Sequence, residues 1–342
     1  MDFSCPFRKC ILMSHHTSMR FPFIVVPLIA AAAAPVCLNA AEREFEKSTY
    51  VYKTVDDLEI KLDAYVPDGK SDAARPVAVW IHGGALINGH REGVSGRMRD
   101  ALLQRGIVLI SIDYRLAPET KVSGIHEDVK DAFAWIREEG PAELGIDPDR
   151  LAVHGGSAGG HLTLVTGYLI KPRPQALVAF WGYGDIVGPW LSEPSPHARH
   201  ATDISQEAAW KQVSGPPVSD SRERDGNGGA FYRFCRREGI WPKAVTGWDP
   251  DEEPEEFIPY MPLLNVSEDY PPTLMIHGTE DTDVPYEQSV LMADAFEKHG
   301  VEHRLITVEG GEHGLAGAEP DDIDAAYEAA VAFIVDRIGT GD

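Results

Sequence analysis

The sequence predicts an α/β fold, with a mostly parallel central sheet covered by helices on both faces. Two observations carry that expectation. Short, continuously apolar runs alternate with stretches of helical periodicity along most of the chain, the pattern of parallel strands joined by crossover helices. The 342 residues are 43% hydrophobic, enough for the buried core such a sheet requires.

Tyr50 to Val55 and Leu58 to Val66 form a predicted hairpin, because the second run alternates apolar and polar residues and Asp56-Asp57 supplies the turn. Pro76 to Ile81 and Gly106 to Ile112 are apolar strands separated by a helix over Gly96 to Gln104. A helix follows from Ile125 to Glu139, with Ile125, Val129, Phe133 and Ile136 at helical spacing. The strand at Leu151 to Val153 breaks at Gly155-Gly156-Ser157-Ala158-Gly159 and gives way to a helix from Leu162 to Ile170. Strands at Ala176 to Trp181, Pro272 to Ile276 and Glu302 to Val308 complete the sheet, with helices at Tyr286 to Lys298 and Asp321 to Ile338. Between Gly182 and Tyr270 the rhythm stops. That stretch is rich in proline, tryptophan and charge without a clear strand, and so long a connection in a compact domain points to a functional cap. The expected organisation is one domain over 41–342 with a cap insertion at 182–270, and no internal repeat is visible.

The first forty residues differ in kind. Met19-Arg20 precedes an apolar run of 16 residues, Phe21 to Val36, followed by small residues up to Ala40-Ala41. The run is short for a membrane span and has the layout of a secretory signal peptide over 1–40, starting at Met1 or Met19. An uncleaved membrane anchor is the alternative, and Cys37 sits in a poor lipoprotein context that disfavours a lipid anchor. A secreted or periplasmic protein is expected, without stable membrane insertion once the signal is removed. Cleavage there takes away Cys5, Cys10 and Cys37 and leaves Cys235 alone, so the mature fold must rest on its core rather than on disulfides. The formal charge of -23 argues against nucleic acid or an anionic membrane as partner. No Cys/His spacing of the zinc type occurs, and no metal or cofactor is implied.

The stretch from Gly155 to Gly159 is a G-x-S-x-G turn between a strand and a helix. A serine at the tip of so tight a turn is held in strained backbone geometry, and glycines beside it avoid collisions with strand and helix. Its hydroxyl stands at a helix N-terminus, where free N–H groups stabilise an oxyanion. The competing reading is a glycine-rich loop whose serine is only an N-cap. A serine hydroxyl needs a base oriented by a third group before it acts as a nucleophile. Asp281 in His277-Gly-Thr-Glu-Asp281 and His313 in Gly310-Gly-Glu-His313-Gly314 each follow a predicted strand. Ser157, Asp281 and His313 thus lie past the C-terminal ends of strands, where ligands bind in open α/β sheets. Their order along the chain is that of the α/β-hydrolases. Asp283 competes with Asp281 as the orienting acid, Asp281 being preferred, while His277 and His303 at strand ends are read as structural. The N–H groups of Gly83, Gly84 and Ala158 are the candidate oxyanion hole.

Together, His82-Gly-Gly, Asp113-Tyr-Arg-Leu-Ala-Pro-Glu119, Gly155-Gly-Ser-Ala-Gly-Gly160, His277-Gly-Thr-Glu-Asp281 and Gly311-Glu-His313-Gly resemble the hormone-sensitive-lipase-like and acetyl-esterase branch of the α/β-hydrolases. The likeness covers about residues 48–340 apart from the insertion. It implies a carboxylester hydrolase with Ser157 as nucleophile, His313 as base and Asp281 orienting it, and a supporting rather than catalytic place for Asp113 and Arg115. The chain departs from that pattern in having Ala85 where a third glycine commonly sits, which bears on loop shape and acyl-pocket size.

The expected function is a secreted serine carboxylester hydrolase that works through an acyl-enzyme. Its expected substrate is a small-molecule or carbohydrate ester, with short acyl or aromatic groups such as acetyl or feruloyl. Two other readings stand beside it: a serine peptidase of the prolyl-oligopeptidase type, and a non-catalytic binding protein on a hydrolase scaffold. Arg222, Arg224, Arg236 and Arg237 in the insertion are read as surface ion pairs rather than as a clamp for an acidic substrate group. Asn265-Val-Ser267 fits a glycosylation acceptor.

Overall fold

Eight strands build one sheet in the computed structural model, which describes residues 44–69, 71 and 73–341. The expected signal segment and Cys37 lie outside the described residues. The strands are β1 (Phe45–Val55), β2 (Leu58–Pro67), β3 (Arg75–Ile81), β4 (Val108–Ile112), β5 (Ile146–Gly156), β6 (Ala176–Phe180), β7 (Thr273–Gly278) and β8 (His303–Val308). Their spatial order is β1-β2-β4-β3-β5-β6-β7-β8. The β1/β2 and β2/β4 pairs are antiparallel, and every pair from β4/β3 to β7/β8 is parallel. The helices are α1 (Gly96–Leu103), α2 (Val122–Glu138), α3 (Gly140–Leu144), α4 (Ala158–Leu169), α5 (Pro189–Ser192), α6 (Gln206–Lys211), α7 (Gly229–Glu238), α8 (Trp241–Thr246), α9 (Glu287–Lys298) and α10 (Pro320–Ile338).

Successive side chains of a strand point to opposite faces, and the central strands use this to fill two apolar layers. Val79, Ile81, Leu151, Val153 and Leu177 pack with Ile125, Val129 and Phe133 of α2 and Leu162 and Val165 of α4. Ala78, Ala152, Val178 and Phe180 face the other layer, with Met98 and Leu102 of α1 and Val331 and Ile334 of α10. Burying each large side chain of this kind contributes about 1.5–3 kcal/mol. The continuous apolar runs of the sequence are thus explained by strands covered on both sides.

The structure differs from the sequence expectation at element ends. Helix α4 begins at Ala158 rather than Leu162, because small residues at 159 and 160 let the first turn lie directly against the sheet. Strand β5 begins at Ile146, which pairs with Arg75, although Asp147-Pro148-Asp149 reads as a turn. Helix α2 begins one turn earlier, at Val122.

The stretch between β6 and β7 contains no strand among the described residues and is built from α5 to α8 with short 3-10 turns. Leu191, Phe231, Phe234, Trp241, Val245 and Phe257 are buried in the same apolar layer as α2 and α4. The insertion also grips the loop that follows β3. Trp241 Nε1 donates to the Ala85 carbonyl at 3.1 Å, and Gly89 N donates to Ser221 Oγ at 3.1 Å. Arg224 donates to the carbonyls of Ile87 and Ala117 and to both carboxylate oxygens of Glu119. Arg222 and Arg237 form partly exposed ion pairs, as the sequence reading expects. Arg224 and Arg236 depart from it, with side chains 3% and 2% exposed. They are interior struts.

Arg224→Met should therefore lower unfolding stability by about 3–5 kcal/mol, since a lone buried Glu119 carboxylate would remain. Adding Glu119→Leu should recover part of that loss. Urea denaturation of both variants measures it, and an unchanged single variant would contradict the strut.

Candidate active site

Ser157 ends β5 and precedes α4, with φ of 59° and ψ of -124°. That region is sparsely populated for a residue with a side chain and costs on the order of 1–3 kcal/mol. Its N–H donates to the Phe180 carbonyl at 3.0 Å, and its carbonyl accepts from His161 N at 2.9 Å. The neighbouring backbones close in. A Cβ on Gly159 would lie 2.0 Å from the Ile81 carbonyl, and one on Gly83 would lie 2.7 Å from the Gly156 carbonyl and 3.2 Å from Ser157 Cβ. Glycine is required at both for steric reasons, and the loop after β3 is thereby pressed against the serine.

Three candidate oxyanion donors meet there. Ala158 is the first residue of α4, so its N–H has no acceptor within the helix. The N–H groups of Gly83 and Gly84 donate no hydrogen bond within the described residues. Ala85 and Leu86 have φ of 56° and 60°, so an alanine in the left-handed region stands where a third glycine was expected. The Trp241 bond to the Ala85 carbonyl holds it there. His82 stacks on Tyr114 with ring centroids 4.2 Å apart, and burial pushes its imidazole down to about 4. Asp113 accepts from Arg91 N and Nη1, each at 2.6 Å. Arg115 forks onto Asp128 at 2.8 Å. These motif residues stiffen the loops around Ser157.

Asp281 lies in the loop after β7 and His313 in the turn after β8. His313 Nδ1 donates to Asp281 Oδ2 at 2.8 Å. The other oxygen, Oδ1, accepts from the N–H groups of Asp283 and Val284 at 2.8 and 2.9 Å. Burial raises the Asp281 carboxyl, but hydrogen bonds from His277 and His313 and the charge of His313 outweigh it and hold the group well below the usual carboxylate range. His277 is fully buried, with Nδ1 on Ser289 Oγ at 2.7 Å and Nε2 on the Val284 carbonyl at 3.0 Å. His303 bonds the Val301 carbonyl at 2.9 Å. Both occupy structural positions.

Asp283 has another set of partners. Its Oδ1 accepts from His200 Nε2 at 2.8 Å, Tyr232 Oη at 2.5 Å and Arg236 Nη1 at 3.1 Å. Its Oδ2 lies 3.6 Å from Arg199 Nη2 and 3.5 Å from His313 Nε2. Burial again opposes ionisation, and the His200 hydrogen bond leads the contacts that hold this carboxyl low. All four groups on Asp283 other than His313 come from the insertion, so His313 stands between two carboxylates, one of them tethered to the cap. Ser157 Oγ makes no hydrogen bond among the described residues; such bonds commonly tighten only when substrate is bound. Beside Ser157 opens a cavity of about 250 Å³ lined by Trp80, Phe180, Trp181 and Met98 among others. Cys235 is buried and unpaired, and burial pushes its thiol up to about 12, which leaves it inert. Among the described residues no group of three or more His, Cys, Asp or Glu is placed to hold a metal ion, and no helix is long and apolar enough to cross a membrane.

The BD-FAE family model matches residues 62–175, and the prolyl oligopeptidase family model matches residues 217–341. Esterase 2 of Thermogutta terrifontis, solved with propionate bound, is 26% identical with a TM-score of 0.56 over 89% of this chain and 97% of that one. A truncated carbohydrate esterase from gut microbiota, 22% identical, shares the fold with a TM-score of 0.62 over 87% of this chain and 98% of that one. Among curated proteins, the non-reducing polyketide synthase ascC of Acremonium egyptiacum is 29% identical over 315 residues, which are 80% of this chain and 14% of that protein. The chain therefore spans about one seventh of the length of that relative. Fold, family matches and esterase neighbours together define a serine hydrolase of esterase-like type. The chain belongs to the α/β-hydrolase superfamily, as an esterase-type member.

The geometry separates the two rival acids. Asp281→Asn should lower kcat by about 10³–10⁴-fold, the size of effect seen when an orienting carboxylate is neutralised, and Asp283→Asn by far less. Steady-state hydrolysis of p-nitrophenyl acetate, normalised to folded protein by circular dichroism, measures both. The reverse ranking would make Asp283 the orienting acid.

Proposed function

We propose that this protein is a secreted serine esterase that cleaves short acyl or aromatic esters of carbohydrates through an acyl-enzyme on Ser157. The observation that carries the reading is the 2.8 Å bond from His313 Nδ1 to Asp281 in the same strand-end cluster as the strained Ser157. With Nδ1 carrying the proton, Nε2 is left as the base. Ser157 Oγ attacks the ester carbonyl carbon while its proton passes to His313 Nε2. The N–H groups of Gly83, Gly84 and Ala158 receive the charge that develops on the carbonyl oxygen. The bond to the alcohol oxygen breaks as His313 hands that oxygen the proton. Water, deprotonated by the same nitrogen, then releases the acid and restores Ser157.

The carbohydrate assignment draws on polarity. Around His313 stand Asp283, Arg199 and Glu312, with Arg199 bonded to Glu312 at 2.7 Å, a setting suited to a hydroxyl-rich leaving group. The acyl side, along Trp80, Phe180 and Trp181, is apolar. Export rests on the apolar run from Phe21 to Val36. The prolyl oligopeptidase family match over 217–341 favours a second reading, a peptidase.

Ser157→Ala should reduce p-nitrophenyl acetate turnover by at least about a thousandfold without lowering the thermal midpoint. Retained turnover would remove Ser157 from the chemistry. Hydrolysis of p-nitrophenyl acetate should also outpace cleavage of p-nitroacetanilide, and faster anilide cleavage would favour the peptidase.

A further inference from the structure

Asp283 belongs to the loop after β7, yet the insertion holds it. Its Oδ1 accepts from His200 Nε2, Tyr232 Oη and Arg236 Nη1. His200 is fixed in turn, with Nδ1 2.7 Å from Ser195 Oγ. Oδ2 accepts no hydrogen bond among the described residues, although a buried carboxylate normally has its lone pairs satisfied. That oxygen is not sealed off. Asp283 is 8% exposed, and Oδ2 is not among the buried side-chain atoms left without a partner. It is turned toward His313 Nε2 at 3.5 Å and Arg199 Nη2 at 3.6 Å. Arg199 is itself held, since its Nη1 donates to both carboxylate oxygens of Glu312.

We propose that Asp283 Oδ2 accepts a hydrogen bond from a hydroxyl adjacent to the leaving oxygen, so that the enzyme selects monoacyl esters of vicinal diols. The inference rests on the esterase reading of Ser157 and narrows its alcohol side. In that reading His313 Nε2 gives its proton to the departing alcohol oxygen, which must then lie within hydrogen-bond distance of Nε2. The two oxygens of a gauche vicinal pair stand about one hydrogen-bond length apart, which brings the second within reach of an acceptor beside Nε2. A hydroxyl suits both neighbours, donating to Oδ2 and accepting from Arg199 Nη2. A carboxylate there would meet Asp283 and an ammonium would meet Arg199, a like charge in each case. An ether or a methylene would cover Oδ2 without giving it a donor, the condition under which a polar site rejects an analogue most strongly. The donors on Oδ1 also fix the outcome of the isosteric change. In Asp283→Asn they hold the amide oxygen in the Oδ1 position, so the NH2 group replaces Oδ2 and an acceptor becomes a donor.

The test compares kcat/KM for trans-2-hydroxycyclohexyl acetate, trans-2-methoxycyclohexyl acetate and cyclohexyl acetate, which share one acyl group. The hydroxy ester should exceed both others by at least about tenfold. The methoxy ester keeps the electron-withdrawing oxygen but has no proton to donate, so it separates recognition from intrinsic reactivity. In Asp283→Asn the hydroxy-to-methoxy ratio should fall to within about twofold of unity, because an NH2 donor serves either oxygen. Equal values for the hydroxy and methoxy esters in the unmodified protein would overturn the proposal, as would a preference that survives Asp283→Asn. Circular dichroism checks the fold of the variant, and if it does not fold the two ratios of the unmodified protein decide. p-Nitrophenyl acetate, whose leaving group has no neighbouring hydroxyl, reports separately on the esterase reading. Its turnover without a hydroxyl preference would overturn this inference alone.

Discussion

Two backbones share the space at the Ser157 turn so closely that neither has room for a side chain. A Cβ on Gly159 would sit 2.0 Å from the Ile81 carbonyl, and one on Gly83 would meet the Gly156 carbonyl at 2.7 Å. This approach fixes the end of β3, the end of β5 and the start of α4 against one another. It holds Ser157 in its left-handed conformation, exposes the first N–H of α4, and brings the N–H groups after β3 beside it. The strain at Ser157 persists because the surrounding contacts over-determine the turn. Loosening any of them would let the serine relax toward ordinary backbone geometry and away from the donors.

The rest of the fold supports that contact from two sides. On one face, the insertion reaches over α2 and α4 and clasps the loop after β3 through Trp241, Arg224 and Ser221. It also clasps Asp283, which faces His313 Nε2 at 3.5 Å. One structural unit thus touches both the loop after β3 and the surroundings of His313. On the other face, Met98 of α1 and Tyr327 of α10 join Trp80, Phe180 and Trp181 around a cavity that Ser157 also lines. The surroundings of Ser157 are charged on the His313 side and aromatic on the side of α1 and α10, an asymmetry set by which face of the sheet each neighbour covers.

Much of this was legible in the residue order. The apolar runs mark the strands because a strand covered on both sides needs apolar residues at every position, and the G-x-S-x-G turn between strand and helix marks Ser157. Asp281 and His313 could be picked out because each sits in a short glycine-containing loop after such a run. Other features were not legible. The partners of Asp283 lie up to 84 residues away in sequence, the farthest being Arg199, and a charged, proline-rich insertion carries no periodicity from which to pair them. Arg224 and Arg236 look like surface arginines in sequence, since only the three-dimensional path of the insertion buries them.

The central claim is that Ser157 is the reacting group, and covalent trapping tests it most directly. Incubation with paraoxon, followed by intact-mass measurement and peptide mapping, should place one diethylphosphoryl group on Ser157 as ester hydrolysis stops. Hydrolysis that stops with the adduct on another residue, or that continues with Ser157 fully modified, would contradict the account.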